Sequence, residues 1–378
     1  ASHYFVDFGK GKLMQYLNFN EIRNLNIDIN SACNAACPGC ARQQDGIFRN
    51  MEFQKNQHFP YHIWQKLIDE IGPQLESIVF CGNYGDAGMT NNLADFITYA
   101  HSVNPRLNMT VTSNMGVNST QFWKNLGELS TDIPIHFQCS IDGLRDTNHI
   151  YRRFVIWKKV MDNVLALANT SPPNLIWKWI EFPWNTHQIE QGTTISKILG
   201  FTEFIVTPNN QPHTNLLLEK LYLDNKDIWS DAASFVSVPP APPQTDEYLL
   251  DASIALKIET DRFNMNNKVD SIDCYTKTVD QSIHVDWNGH VWPCCWWGGA
   301  HYSASLDLRH SQKSFYPDIA TGWNSLSDHT LAHILNHKFY SESLMTSQDS
   351  DTPSSVCLSS CGKCDNNWNS VNTIGKTN

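Results

Sequence analysis

Three cysteines crowd one short stretch near the start of the chain, Asn30-Ser-Ala-Cys33-Asn-Ala-Ala-Cys37-Pro-Gly-Cys40. A C-x3-C-x2-C run can present three thiolates to three irons of a cubic 4Fe-4S cluster and leave the fourth iron open to an outside ligand. An open iron is a reaction site. Zinc is the alternative, but a structural zinc usually takes four ligands in paired short spacings, one more than this triplet supplies.

Six further cysteines follow residue 270: Cys274, Cys294, Cys295, Cys357, Cys361 and Cys364. Between Cys274 and Cys294 the chain reads as a β-hairpin, Ile283 to Val285 and His290 to Trp292, turned at Asn288-Gly289 with a thiol beside each end. The 11 cysteines are an odd number and cluster at short spacings, which fits metal ligation better than a disulfide framework. A zinc ribbon is one reading of this second set.

The first triplet follows a strand candidate, Leu25 to Asn30, and others follow at Ser77 to Cys81, Asn108 to Ser113, Ile135 to Ile141, Leu175 to Phe182 and Phe204 to Thr207. Helical patterns lie between them: Ile63, Leu67, Ile68 and Ile71 share a face, as do Leu93, Phe96, Ile97 and Ala100, then Val160, Met161, Val164 and Leu167. Gly200 is placed as a helix C-cap before the sixth strand. Six βα units predict an α/β fold with an open or partial barrel, a (β/α)6 relative of the TIM barrel, whose functional groups sit at the C-terminal ends of the strands. We expect this barrel over residues 1–215, a connecting segment over 216–269 that includes the proline-rich Val238 to Gln244, and a small cysteine-bearing domain over 270–378.

With 27 Lys+Arg against 38 Asp+Glu, the net charge of −11 has the wrong sign for coating phosphates and makes nucleic acid an unlikely partner. No run approaches the roughly 18 apolar residues of a membrane span, and no signal segment is evident, so the expected setting is the cytoplasm.

The cysteine loop resembles that of the radical S-adenosylmethionine superfamily, which carries this spacing after the first strand of a partial barrel. The resemblance implies Cys33, Cys37 and Cys40 as ligands of a 4Fe-4S cluster whose open iron binds S-adenosylmethionine. It also implies one-electron cleavage of the cofactor to a 5′-deoxyadenosyl radical that removes a substrate hydrogen. Gly39 stands where the family usually has an aromatic residue. Gly82-Asn83-Tyr84-Gly85-Asp86, after the second strand, is similar to the family's glycine-rich segment near the methionine amino group. Ser113 and Asn114, then Ser140 and Asp142, resemble segments lining the ribose and methionine parts of the cofactor. Arg152 and Arg153 could pair with the cofactor carboxylate or stand as solvated charges at a helix start. Alternation on the fourth strand turns Gln138, Ser140 and Asp142 into the barrel and leaves Cys139 in packing. On the fifth, Trp177, Trp179 and Glu181 share a face that is a candidate for substrate or cofactor contact.

The C-terminal cysteines resemble the SPASM and shorter twitch extensions of that superfamily, with a count favouring one auxiliary 4Fe-4S cluster of the twitch type. Its four ligands would come from Cys274, Cys294, Cys357, Cys361 and Cys364. A thiol left over, with Cys295, Cys364 and Cys357 as candidates, could donate hydrogen in an epimerisation or simply pack. Enzymes with such extensions often epimerise or crosslink ribosomal peptides, and otherwise act on small molecules. The 32 residues before Cys33 are too few for an N-terminal leader-binding domain, which counts against the commonest peptide-modifying layout and leaves a leaderless or partner-assisted peptide enzyme open. An electron donor such as a flavodoxin or ferredoxin is a further expected partner, and a tRNA-modifying enzyme or a zinc-stabilised binding protein are the rival readings.

Overall fold

A computed structural model describes residues 16–40, 42–44, 48–49, 56–209, 271–302, 321–346, 348 and 354–363. The expected connecting segment and Cys364 lie outside the described residues. The elements that matter for the site are β1 (Asn24–Ile27), α1 (Tyr61–Ile71), β2 (Ser77–Phe80), α2 (Leu93–Val103), β3 (Asn108–Ser113), α3 (Thr120–Leu129) and β4 (Ile135–Ser140). They continue with α4 (Asn148–Tyr151), α5 (Trp157–Ala168), β5 (Asn174–Glu181), α6 (Ile189–Ile198) and β6 (Glu203–Pro208). After residue 270 come β7 (Ser271–Ile272), β8 (Ser282–Val285), β9 (Val291–Trp292), α7 (Cys295–Tyr302), α8 (Leu331–Leu335), α9 (Ser355–Cys361) and β10 (Gly362–Lys363).

β1 to β6 pair in sequence order and in parallel, each neighbour reached through a helical crossover. Monotonic order with right-handed crossovers puts every helix on one face of the sheet, so the sheet curls and its other face becomes an interior. The burial alternation follows. Leu25, Ile27, Ile78, Phe80, Met109, Val111, Phe137 and Cys139 are fully covered, whereas Asn24, Asn26, Val79, Thr110, Thr112, Gln138 and Ser140 are half-buried on the inner face. α1 turns Ile63, Trp64, Leu67, Ile68 and Ile71 onto the covered face, worth on the order of 10 kcal/mol of gross apolar burial. The Trp64 indole N–H, donated to the Phe96 carbonyl at 3.0 Å, ties α1 to α2. Gly200 follows α6 at φ +81°, the left-handed position that ends a helix.

The hairpin expected between Cys274 and Cys294 is present, with β8 antiparallel to β9 and Gly289 at φ +81° in its turn. It does not stand apart from the barrel. β8 lies parallel to β1, from Asn24 opposite Ser282 to Ile27 opposite Val285, and makes the sheet eight-stranded in the order β9-β8-β1-β2-β3-β4-β5-β6. The pairing covers the backbone edge that β1 would otherwise expose. β7 and β10 form a separate two-stranded ribbon that brings the end of α9 back toward Cys274.

One expectation is corrected on β5. Trp177 and Trp179 are fully buried among Phe201 and Phe204, on the side of the strand that packs beneath α6, and offer nothing to a substrate. Apolar bulk on one face of a parallel strand fills the layer beneath the helices as well as it would line a cleft. Among the described residues no helix is long and apolar enough to cross a membrane.

Candidate functional site

The cysteine loop leaves β1 through Asp28, Ile29 and Asn30 and is fastened by the ends of the next strands. Asn30 does most of this. Its amide donates to the Asp86 carbonyl at 2.9 Å and the Thr90 hydroxyl at 2.8 Å, while its side-chain oxygen accepts the Ala32 N–H at 2.8 Å. The Asp86 N–H returns to the Ala32 carbonyl at 2.7 Å, and the Ala36 N–H reaches the Arg153 carbonyl at 3.1 Å. Gly85 is required by close approach, because a Cβ there would sit 2.2 Å from the Asn30 carbonyl oxygen. Asn34 and Asn114 complete the frame, with Asn114 donating to the Asn34 side-chain oxygen at 2.8 Å and Asn34 to the Gly116 carbonyl at 3.0 Å.

Within that frame the thiols meet hydrogen-bond donors. The Ala35 N–H lies 3.4 Å and the Asn114 amide 3.7 Å from Cys33 Sγ, and Arg152 Nη1 lies 3.8 Å from Cys37 Sγ. Cys37 is buried, and Cys33 and Cys40 are half-buried. Burial raises all three thiols, Cys37 to about 11 even with Arg152 pulling it down. Buried thiols of this kind ionise only when a metal takes the proton's place, and the N–H groups aimed at sulfur then stabilise the thiolates. A tetrahedral zinc would draw its ligand atoms to within about 4 Å of one another. Among the described residues the group of three ligand atoms all within 4.8 Å is a different one, Asp28, Cys81 and His284.

The residues expected to meet a cofactor divide into two kinds. Gly82 is exposed at the end of β2, where a Cβ would meet nothing closer than 3.6 Å, and Ser140 is half-buried on the inner face of β4. These are open to a ligand. Asp86, Ser113 and Asn114 are buried and hold the protein to itself: Asp86 accepts from the Gly88 and Asn114 N–H groups at 2.9 and 2.8 Å, and the Ser113 hydroxyl accepts the Met115 N–H at 3.0 Å. Asp142, fully buried, takes Arg152 Nε on one oxygen at 2.5 Å and the Ile180 N–H on the other at 2.7 Å. Arg152 therefore spans Asp142 and Cys37, just past the end of the short helix α4, with Arg153 half-buried beside it. The Asn83 N–H donates to Asp28 at 3.0 Å, and the Asn83 carbonyl accepts from Cys40 Sγ at 3.8 Å. Tyr84 turns its ring away to pack edge-on against His284, Trp287 and Tyr302, and its hydroxyl donates to the Cys295 carbonyl at 2.5 Å.

The second thiol set converges as well. Cys274, Cys294, Cys357 and Cys361 line one small cavity together with Tyr16, whose hydroxyl lies 3.2 Å from Cys274 Sγ and 2.6 Å from the Thr276 hydroxyl. A hydrogen bond between Cys274 and Cys361 holds the first thiol down and the second up. Cys295 does not line this cavity; burial pushes its thiol up to about 12, and it lies in the field of Asp28 and close enough to act on Cys81.

No family model and no curated protein matches the chain. Solved structures do. "Native anSMEcpe with bound AdoMet" is 12% identical, with 84% of this chain and 82% of that one covered and a TM-score of 0.48. Streptococcus suis SuiB bound to precursor peptide SuiA is 12% identical over 89% and 76%, at 0.47. BtrN in complex with AdoMet and 2-DOIA is 13% identical over 91% and 93%, at 0.42.

Several residues of the site are not evident in the sequence. Asp28 and Asn30 lie at alternate positions after Asn24 and Asn26, a polar stripe on the inner face of β1 that period-two reading could have found. Arg42, buried, donates to the Tyr84 carbonyl at 2.7 Å and to the Ser31 carbonyl, and nothing in its sequence neighbourhood marks that role. Asn185 reaches the Asp142 carbonyl at 2.9 Å from the far side of β5, a contact only the fold could show.

Proposed function

We propose that this chain is a radical S-adenosylmethionine enzyme, with a 4Fe-4S cluster on Cys33, Cys37 and Cys40 and an auxiliary 4Fe-4S cluster on Cys274, Cys294, Cys357 and Cys361. The observation that carries this reading is the cysteine loop itself: three thiols at the C-terminal end of the first strand of a parallel barrel, with donors from the loop backbone, the end of β3 and the end of α4 aimed at the sulfurs of Cys33 and Cys37. When bound, the cluster and S-adenosylmethionine supply a one-electron cleavage that yields a 5′-deoxyadenosyl radical able to abstract an unactivated hydrogen.

The chain's own residues bind and orient. Asn114 and Arg152 steady the thiolates of Cys33 and Cys37, and Asp142 fixes the Arg152 guanidinium so that its charge stays beside the loop. Gly82 leaves room for a ligand to approach the backbone at the end of β2. The inner face offers Thr112, Gln138, Ser140 and Lys178, side chains suited to the amide groups of a bound chain. We read the substrate as a ribosomally made peptide that is epimerised or crosslinked, with a small molecule as the second reading, and the reducing partner as a flavodoxin or ferredoxin.

The test is anaerobic. Protein reconstituted with iron and sulfide should carry about eight irons per chain, matched by sulfide, and should release 5′-deoxyadenosine from S-adenosylmethionine under reduction. Replacing Cys33, Cys37 and Cys40 by alanine should abolish that release and halve the iron. A triple variant that still makes 5′-deoxyadenosine ends the proposal. With a candidate peptide, uptake of a solvent deuteron marks epimerisation and loss of a hydrogen pair marks crosslinking, each read by mass spectrometry.

A further inference from the structure

Asp28 and Cys81 directly follow β1 and β2, His284 lies on the adjacent β8, and the three meet on the inner face of the sheet beside the cysteine loop, where the charge of Asp28 reaches Cys40. Their ligand atoms all lie within 4.8 Å of one another, and all three residues are buried, Asp28 and His284 to 0% and 1% exposure. His284 is the telling member. Neither of its ring nitrogens has a hydrogen-bond partner, although Nε2 faces Asp28 Oδ2 at 3.4 Å. Two unpartnered buried nitrogens are a substantial desolvation penalty in a protein interior.

Asp28 is oriented for a task. Its Oδ1 accepts the backbone N–H groups of Asn83 and Tyr84, both at 3.0 Å, which leaves Oδ2 turned toward His284 with a weak 3.4 Å contact from the Asn83 amide. Among the described residues His284 is the one ion-pair partner Asp28 has. The carboxylate is therefore buried with no lysine or arginine against it, which a protein interior tolerates when a metal ion supplies the charge.

We propose that Asp28, Cys81 and His284 bind a divalent cation of the zinc class. Two N or O ligands at about 2.0–2.1 Å from a tetrahedral zinc lie roughly 3.3–3.4 Å apart, the separation found between Asp28 Oδ2 and His284 Nε2. The donor set of one thiolate, one imidazole and one carboxylate is borderline in softness and matches zinc better than calcium or magnesium. One carboxylate and one thiolate neutralise a doubly charged cation, so the site is neutral as well as buried. The two backbone N–H groups on Oδ1 act as the outer hydrogen bonds that orient a ligating carboxylate. Three protein ligands leave one position open for a water molecule.

The experiment takes the reconstituted holoprotein, equilibrates it with one equivalent of zinc, desalts it and measures zinc and iron together. We expect roughly one zinc per chain, no change in iron, and at least a tenfold loss of zinc in His284→Ala and Cys81→Ala with iron and cluster absorption retained. The Cys33, Cys37 and Cys40 triple alanine variant should lose iron and keep its zinc, which separates this site from the radical reading. Zinc-edge X-ray absorption of the unmutated protein gives an answer even where a variant fails to fold: one sulfur among nitrogen and oxygen neighbours supports the site. An all-sulfur shell, zinc unaffected by His284→Ala, or no retained zinc overturns it, the last leaving a proton shared between Asp28 and His284.

Discussion

Removing the Arg152 guanidinium isolates the electrostatics that hold the cysteine loop. Arg152 Nε and Asp142 Oδ2 are 2.5 Å apart, with the arginine side chain 17% exposed and the carboxylate 0%. With charge centres about 4 Å apart at an effective dielectric of 20, their attraction is about 4 kcal/mol. Arg152→Met leaves Asp142 buried with only the Ile180 N–H on its carboxylate, and breaking a buried pair from one side is worth about 3–5 kcal/mol. We expect about 3 kcal/mol lost in urea unfolding at pH 7, since the arginine is not wholly buried. Burial already raises Asp142 against the pull of Arg152, and without the arginine it rises further. A folded carboxyl raised above its unfolded value binds its proton more tightly in the native state, so the variant should regain stability as pH falls toward the unfolded value of about 3.9. Asp142→Leu combined with Arg152→Met should restore about half the loss, because the carboxylate is then no longer buried without its arginine, while Lys178, which loses the field of Asp142, keeps the recovery partial. A single variant within about 0.5 kcal/mol of the parent at pH 7, or a double variant no more stable than the single, would refute the reasoning.

Gly85→Ala should push the loop after β2 off Asn30, with a loss of about 2–3 kcal/mol and of iron from the first cluster, read by urea unfolding and iron analysis; full iron retention would contradict the close packing. Asp286 is fully buried and accepts from Trp292 Nε1 at 2.7 Å and from the Tyr302 hydroxyl at 2.6 Å, with His290 at 3.5 Å; against its burial these partners hold its carboxyl below the usual range, and Asp286 in turn raises His290. The lowered carboxyl stabilises the fold above about pH 3.9, and the raised imidazole stabilises it below about pH 6.5. The cost of Asp286→Asn should therefore peak between those values, at about 2 kcal/mol, and shrink on either side. A pH series of unfolding midpoints with a flat difference would count against it.

The barrel is legible because each of its six strands carries its own local pattern. Ser77 to Cys81 and Asn108 to Ser113 match β2 and β3 to within a residue. The first strand's pattern runs as far as Asn30, yet regular pairing stops at Ile27, because Asn30 spends its side chain on Asp86, Thr90 and Ala32 in the loop. Asn288-Gly289 announces the hairpin, but His290 leaves the strand to donate its N–H to Asp286 Oδ1. No local pattern could say that β8 joins β1, since that register is fixed between residues some 260 positions apart. The same limit hides the buried trio: Asp28, Cys81 and His284 each look ordinary in sequence, and only the alignment of three strands sets them side by side.

The loop after β2 explains why these centres share one fold. Its Asn83 carbonyl meets Cys40 Sγ, its Asn83 and Tyr84 N–H groups hold Asp28, and the Tyr84 hydroxyl holds the first residue of α7. Those four hydrogen bonds come from two consecutive residues, so the cysteine loop, the buried trio and the start of α7 cannot shift independently. Gly85 makes the arrangement possible by letting the loop lie directly on Asn30, and Arg42 locks it from the other side through the Tyr84 carbonyl. The hairpin then has to pair with β1, because only that register brings His284 beside Asp28 and sets Cys295 beneath Tyr84. Cys294 and Cys295, which follow the hairpin, are thus placed by the same sheet that places the N-terminal cysteines, and a hairpin that looks like part of an appendage in sequence extends the barrel sheet.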